Sequence, residues 1–145
     1  MNLGEAISLM TDIPHGYRTH SRTSPLTEPW EPLYSRQSDS YTIIALRAAK
    51  QHCNSRGFVH GGLLSSLADN AMGLSCASGH DSLDGLVTST LNLSFLAGCS
   101  RGQWIEFVTT HTKIGKRLDA AQGHILADGT VCAHMNATFS VMSKS

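Results

Sequence analysis

The chain has 145 residues, and its 11 basic side chains balance its 11 acidic ones, so the formal net charge is zero at neutral pH. Such a length fits one domain with an interior large enough for a hydrophobic core. The balanced charge argues against nucleic acid as the main partner, and no apolar run approaches the roughly 20 residues of a membrane span.

Residues 1–32 hold all four prolines and few regular patterns. We predict that they form a short helix near residues 3–10 and then a loop, as an N-terminal extension of the main domain of residues 33–145. The extension could cover one end of a site or contact another subunit. Its start carries acidic side chains instead of the basic start of a secretory signal, so we expect a cytoplasmic protein. Four scattered cysteines without a CxxC pair are expected to stay reduced there.

The next segments predict a buried strand and a buried helix. Residues 41–49, YTIIALRAA, are rich in β-forming side chains and predict a strand that is buried on both faces or nearly so. Residues 54–77 contain the longest segment able to make a buried helix, because after His60-Gly61-Gly62 the apolar and small side chains cover much of the helix circumference. Turn-forming residues at 79–81 and 84–85 predict that this helix ends near Ala77.

Two features of the predicted helix point to chemistry. Asp69 interrupts its apolar surface, and a carboxylate there is costly unless it is paired, hydrated or neutralised. A solvated stripe shared with Asn70 is the alternative. Gly61 and Gly62 stand at the helix start, where free backbone N–H groups could hold a developing negative charge. A plain glycine cap is the alternative for them.

Gly61 and Asp69 cannot meet on one helix. Their separation amounts to about 12 Å of helix rise and roughly 80° of rotation, at about 1.5 Å and 100° per residue. If both groups serve one reaction, Asp69 must come from a second copy that lies beside the Gly61 of the first. The spacing therefore predicts a two-fold dimer with sites shared between its subunits.

The first strand-like segment after the helix alternates with a period of two. One predicted face carries Val87, Leu91, Leu93 and Phe95, and the other carries Thr88, Thr90, Asn92 and Ser94. A turn at residues 98–102 leads to a second strand at 103–113, whose Ile105 and Phe107 should point inward. This alternation predicts that the two strands after the helix each have one buried face.

Two hairpin signals organise the rest of the chain. Gly115-Lys116 marks the first, and Asp128-Gly129 joins the last two strands, Leu118–Ala127 and Thr130–Met142. The elements together predict a long helix followed by an antiparallel meander that wraps it, which is an α+β fold.

Three groups of residues resemble a known signature. Asn54, then His60-Gly61-Gly62, then Leu67-Ala68-Asp69 resemble the pattern of hotdog-fold acyl-CoA thioesterases in the 4-hydroxybenzoyl-CoA thioesterase superfamily, especially the phenylacetate-degradation type. The resemblance continues through 88–96, 115–117 and 137–139, and covers roughly residues 33–142. It implies a hotdog fold, in which an antiparallel sheet wraps a long central helix. It also implies a homo-oligomer, either a dimer or a dimer of dimers (a homotetramer), that needs no metal or cofactor.

The resemblance also implies roles for individual residues. The Gly61 N–H would stabilise the oxyanion of the thioester, while Asp69 of the other subunit would either activate water or attack directly. Asn54 would orient the water or the thioester, with a turn-capping asparagine as its alternative. His60 would order the loop or polarise the carbonyl, with a purely structural histidine as its alternative.

The remaining predicted contacts are less specific. Thr88 would lie near the catalytic acid, although an ordinary strand threonine is the alternative. Gly62 would touch the substrate, and Lys116 and Arg117 would bind coenzyme A phosphates unless they are solvated turn charges. No acyl-pocket signature is present, so an aromatic and a medium-chain acyl group both remain open.

Other functions compete with hydrolysis of an acyl-CoA. An enoyl-CoA hydratase is disfavoured because Asp119 and His124, its nearest candidate pair, should point to opposite faces of a strand. A non-catalytic acyl-CoA-binding or regulatory module would keep the pocket without the acid, whereas Asp69 and Asn54 are both present here. A thioester carried by acyl carrier protein instead of coenzyme A stays open. The sequence therefore favours an acyl-CoA thioesterase.

Overall fold

The computed structural model describes residues 2–4 and 12–142, so most of the helix predicted near residues 3–10 lies outside the described residues. Within them, one long helix, α1, spans Gly61–Ala77. The strands are β1 Arg18–Thr19, β2 Tyr34–Ser38, β3 Tyr41–Arg47, β4 Gly85–Phe95, β5 Trp104–Lys113, β6 Leu118–Ala127 and β7 Thr130–Met142. Short 3-10 helices occupy Glu28–Trp30 and Lys50–His52.

The strands form one antiparallel sheet in the order β1-β2-β3-β5-β6-β7-β4. The predicted α+β fold, with a long helix wrapped by an antiparallel sheet, is confirmed. The predicted four-strand meander is correct only for β5 to β7, because β4 pairs with β7 at the far edge. Residues 96–103 therefore carry the chain across to β5, beside β3, instead of forming a hairpin. Alternation along β4 marks a buried face, but it carries no information about the partner strand.

Helix α1 supplies the centre of the hydrophobic core. Its Leu67, Ala71 and Met72 side chains are fully buried. On the sheet, Ile105 and Phe107 of β5 are fully buried as well, which confirms their predicted inward orientation. Such a helix is apolar around most of its circumference because strands surround it on several sides.

A β-bulge at residue 89 corrects the predicted faces of β4. Thr88 pairs with Phe139 and Thr90 pairs with Thr138, so one extra residue lies between the two pairs. Directly opposed residues share a face, and Phe139 is buried under the helix. Thr88 therefore points toward α1, whereas Val87 lies on the outer face and is 53% exposed. The prediction that Val87 shares the face of Leu91 is wrong, because the bulge reverses the alternation.

The N-terminal extension is joined to the sheet. Its strand β1 pairs with β2, and the His20 N–H donates to the Leu33 carbonyl at 2.8 Å. The buried His52 ring fixes a second point. Its Nδ1 accepts from the Ala49 N–H at 2.9 Å, so Nε2 carries the hydrogen that is donated to the Trp30 carbonyl at 2.8 Å. The division of the chain at residue 32 stays a prediction.

Acid should weaken the attachment of the N-terminal extension through the buried His52 ring. Burial lowers the pKa of His52 from its ordinary value of 6.5. As the pH falls below 6.5, the unfolded chain takes up a proton that the folded chain resists, so stability is full above this pH and decreases below it. We expect the urea midpoint to fall less between pH 7.5 and 5.5 in His52→Gln than in the wild type. A matched change at the exposed His15 should leave the wild-type pH dependence, and identical dependence in both variants would contradict the role of His52.

The structure also bears on membrane-spanning segments and on the cysteines. Among the described residues, no helix has the length and apolar character needed to cross a membrane. All four cysteines carry free thiols.

Candidate active site

Asp69 lies on α1 opposite the first half of β4. The Thr88 hydroxyl donates to Asp69 Oδ1 at 2.7 Å, a contact made possible by the bulge that turns Thr88 toward the helix. Within the described residues Oδ2 has no hydrogen-bond partner. The Asp69 carboxylate is therefore oriented by one donor, with its second oxygen free.

Asp69 lines a cleft of about 410 Å³. We call it the Asp69 cleft. Its apolar wall consists of Gly73, Leu74, Ala77, Leu83, Leu86 and Phe139. Its polar residues are Asn70, Asp84, Thr88 and several side chains of residues 20–27. A hydrocarbon group and a polar group could thus be bound side by side next to the carboxylate.

The start of α1 presents a free backbone N–H. His60 is the N-cap, and its Nδ1 accepts from the Gly62 N–H at 2.8 Å. Among the described residues no acceptor contacts the Gly61 N–H. A helix N-terminus with an unpaired N–H favours negative charge, so Gly61 has the property required of an oxyanion donor.

Gly61 lines a second cleft, of about 380 Å³, which we call the Gly61 cleft. Its lining residues are Val59, Gly61, Leu64, Phe95, Leu96, Ala97, Gly98 and Cys99. The ring of Phe95, at the end of β4, stands 3.4 Å from the point that a Cβ on Gly61 would occupy. A side chain at this position would meet the ring in ordinary van der Waals contact, so Phe95 packs directly over Gly61.

His60 and Asn54 both organise the loop before the helix. Because His60 Nδ1 accepts a hydrogen bond, the neutral ring carries its hydrogen on Nε2. Asn54 Oδ1 accepts from the backbone N–H groups of Arg56 at 2.9 Å and Phe58 at 3.2 Å. These contacts are those of a loop-ordering histidine and a turn-capping asparagine. Their predicted catalytic roles stay predictions, and so does a substrate contact by Gly62, whose N–H already has a partner.

The structure separates some predicted residues from the clefts. Lys116 and Arg117 are exposed in the hairpin between β5 and β6 and line neither cleft. Asp69 and Gly61 line different clefts, as the helix geometry requires. The predicted phosphate role of the hairpin residues is untested by this arrangement.

A buried carboxylate at the start of β6 makes contacts that the sequence did not predict. Asp119 is fully buried and accepts from the Gly115 N–H at 3.0 Å, while His80 Nε2 lies 2.6 Å from its other oxygen. The pair ties the segment after α1 to the β5–β6 hairpin. His124 points to the opposite face of β6, next to His134, so Asp119 and His124 form no hydratase pair.

Residues 20–27 also line the Asp69 cleft, so the N-terminal extension covers one end of this cleft, which is one of the two roles expected for it. No motif in this segment indicates which of its residues reach the cleft, since only the folded chain brings them beside β4. Within the described part of the chain, no group of three or more His, Cys, Asp or Glu side chains could hold a metal ion.

Comparison with known structures supports the fold. In a mutant form, the phenylacetic acid degradation protein PaaI from Thermus thermophilus gives a TM-score of 0.72 at 18% identity and covers 82% of this chain and 100% of its own. Zebrafish thioesterase superfamily member 2 gives 0.69 at 18% identity and covers 76% of this chain and 81% of its own. At such identities the likeness shows the fold alone, which is the hotdog fold predicted from the sequence.

Comparison with families and curated proteins goes further. The family model described as thioesterase superfamily matches residues 56–133. A Pseudomonas aeruginosa protein whose provisional name is that of an esterase is 33% identical over 131 residues, which cover 90% of this chain and 98% of that protein. The chain belongs to the thioesterase superfamily and, as predicted, is a thioester hydrolase.

Proposed function

We propose that this protein hydrolyses an acyl-CoA, with an aromatic or medium-chain acyl group, to the free acid and coenzyme A. The observation that carries the proposal is the Asp69 carboxylate, which Thr88 holds at 2.7 Å in a cleft with an apolar wall. The free N–H of Gly61, at the start of the same helix, complements it. Thioester hydrolysis needs these two functions: a base or nucleophile, and a donor for the oxyanion.

The edge strand β4 offers a way to bring the two groups together. In the described chain β4 pairs only with β7, so its other edge is open along 11 residues. Long exposed edges readily pair with another strand. If two copies pair antiparallel through β4, centred near Thr90, the Phe95 end of one lies beside the Gly85 end of the other.

This pairing would assemble a shared site. Phe95 packs over Gly61, whereas Gly85 and Thr88 line the Asp69 cleft. The Gly61 N–H of one copy would therefore approach the Asp69 carboxylate of the other, and a two-fold dimer would have two such sites. Two dimers could associate further into a tetramer.

In the shared site the thioester carbonyl oxygen would accept from the Gly61 N–H as it becomes negative. The free Asp69 oxygen would remove a proton from the attacking water. Alternatively, it would attack the carbonyl carbon to form an anhydride that water then cleaves. The coenzyme A thiolate leaves in either route. Thr88 keeps the carboxylate in its productive orientation.

Thr88→Val should lower kcat about tenfold, because a hydrogen bond to a charged group is worth roughly one to two factors of ten in rate when it orients that group. Thr88→Ser should restore the rate. The matched control is Thr138→Val in β7, which removes a hydroxyl that contacts Thr90 on the outer face of the sheet and lies away from the open edge of β4. Steady-state kinetics with one substrate decide the matter, and unchanged kcat in Thr88→Val would contradict the orienting role.

Thiol release from a panel of aromatic, medium-chain and long-chain acyl-CoAs tests the proposed function. We expect turnover of at least one panel member and a strong preference among the acyl groups. Saturable binding without hydrolysis would support a binding module instead. The same acyl groups on acyl carrier protein are assayed in parallel. If only these are hydrolysed, the substrate is an acyl carrier protein thioester and not an acyl-CoA.

A further inference from the structure

Residues 20–27, which we call the strap, form a polar wall of the Asp69 cleft. The strap residues that line the cleft are His20, Arg22, Thr23, Ser24 and Thr27. The strap has a defined conformation. Ser24 and Thr27 form a turn in which the Ser24 carbonyl accepts from the Glu28 N–H at 3.0 Å, and Thr27 is buried. The strap is anchored at one end by the contact of His20 with Leu33 and at the other by that of Trp30 with His52.

The charges in the cleft leave one cation unpaired. The charged or titratable lining residues are the acidic Asp69 and Asp84 and the basic His20 and Arg22. Arg22 is exposed, and within the described chain it forms no ion pair with either carboxylate. Burial, helped by the charge of Arg22, lowers the pKa of His20 and favours its neutral form. Arg22 is therefore the fixed positive charge that faces the cleft.

We infer that Arg22 binds an anionic group of the thioester substrate, which makes it a specificity-determining residue; this rests on the proposed function. A guanidinium binds a carboxylate or a phosphate through paired N–H donors. The anion could be a carboxylate at the far end of the acyl group, whose hydrocarbon part would lie on Leu74, Leu86 and Phe139. It could also be a phosphate of coenzyme A. Both share the same chemistry at Arg22.

The test compares Arg22→Gln with a matched control, Arg18→Gln. Arg18 is also exposed on the extension, but it lies in β1 and lines neither cleft. Four thioesters serve as substrates: a neutral acyl group and a carboxylate-terminated acyl group of equal length, each on coenzyme A and on pantetheine, which lacks the coenzyme A nucleotide phosphates. We measure kcat/KM for each and the dissociation constants of the corresponding non-hydrolysable thioethers.

The pattern of losses identifies the anion. A loss of about tenfold in Arg22→Gln, as expected for one charged hydrogen-bonded contact, that is confined to carboxylate-terminated acyl groups on either carrier identifies the acyl carboxylate. The same loss with both coenzyme A esters, and not with the pantetheine esters, identifies a phosphate. In both cases Arg18→Gln should match the wild type.

Two results would overturn the inference: equal kcat/KM and equal binding in Arg22→Gln and the wild type, or equal losses with all four compounds. Binding of the thioethers separates failure of the inference from failure of the proposed function. If Arg22→Gln binds them more weakly than the wild type in one of the two expected patterns, but the wild type cleaves none of the thioesters, the proposed hydrolysis is wrong while the anion contact at Arg22 stands.

Discussion

Asp69→Asn should lower kcat at least about a thousandfold. The substitution keeps the size of the side chain and the oxygen that accepts from Thr88, but it removes the negative charge that either activates water or attacks the thioester. The KM should change much less, because the acyl group is held by the apolar wall of the cleft and not by the carboxylate. Steady-state thiol release from the best acyl-CoA of the panel measures both constants.

Asp84→Asn is the matched control for this variant. Asp84 lines the same cleft and is exposed, so its substitution makes the same change of charge at another position in the cleft. It should keep kcat within about threefold of the wild type. Full turnover by Asp69→Asn would exclude Asp69 as base or nucleophile. Equal losses in both variants would show that the net charge of the cleft matters, and not the position of one carboxylate.

Local sequence signals predicted the elements well where neighbouring residues determine them. The Asp128-Gly129 turn has positive φ angles of 48° and 83°, as its residue types favour, and it sets the register of the last hairpin. The helix ends at Ala77 as expected, because turn formers follow directly. In both cases the determining contacts lie within a few residues along the chain.

The features that the sequence did not reveal depend on distant contacts. The partner of β4 is β7, which lies three strands later in the chain, and a period of two looks the same beside any partner. The bulge at residue 89 is likewise a property of the paired strands. It explains why the Thr88 hydroxyl faces Asp69, where simple alternation grouped Thr88 with the outward-facing Thr90.

In the candidate site, too, some residues are recognisable from the local sequence and others only from the folded chain. Asp69 and Gly61 could be singled out because a carboxylate in an apolar helix and a glycine pair at its start are visible in the sequence. For the extension, the sequence allowed cover of a site as one of two roles, but the residues that provide it could not be singled out, because residues 20–27 contain no recognisable motif and reach the cleft only in the folded chain.

Mixing two inactive variants should restore activity if the site is shared. Gly61→Pro removes the N–H at the first helical position, where proline is tolerated, and the extended backbone of His60 suits a residue before proline. Asp69→Ala removes the carboxylate. In a heterodimer, one site combines the intact Gly61 of one copy with the intact Asp69 of the other, while the second site lacks both.

The fraction of wild-type activity that should return follows from the number of intact sites. Random exchange of equal amounts makes about half of the dimers mixed, and one of the two sites in each is intact, so about a quarter of wild-type activity should return. Two different affinity tags, purified in sequence from coexpressed chains, isolate the mixed dimer, in which about half of wild-type activity is expected.

The most direct test of the shared site is thus the specific activity of the doubly tagged heterodimer of Gly61→Pro and Asp69→Ala. Activity near half that of the wild type, with each homodimer close to background, is the predicted result. A heterodimer that is verified to contain both chains and yet stays at background would contradict the pairing of Gly61 and Asp69 across two copies.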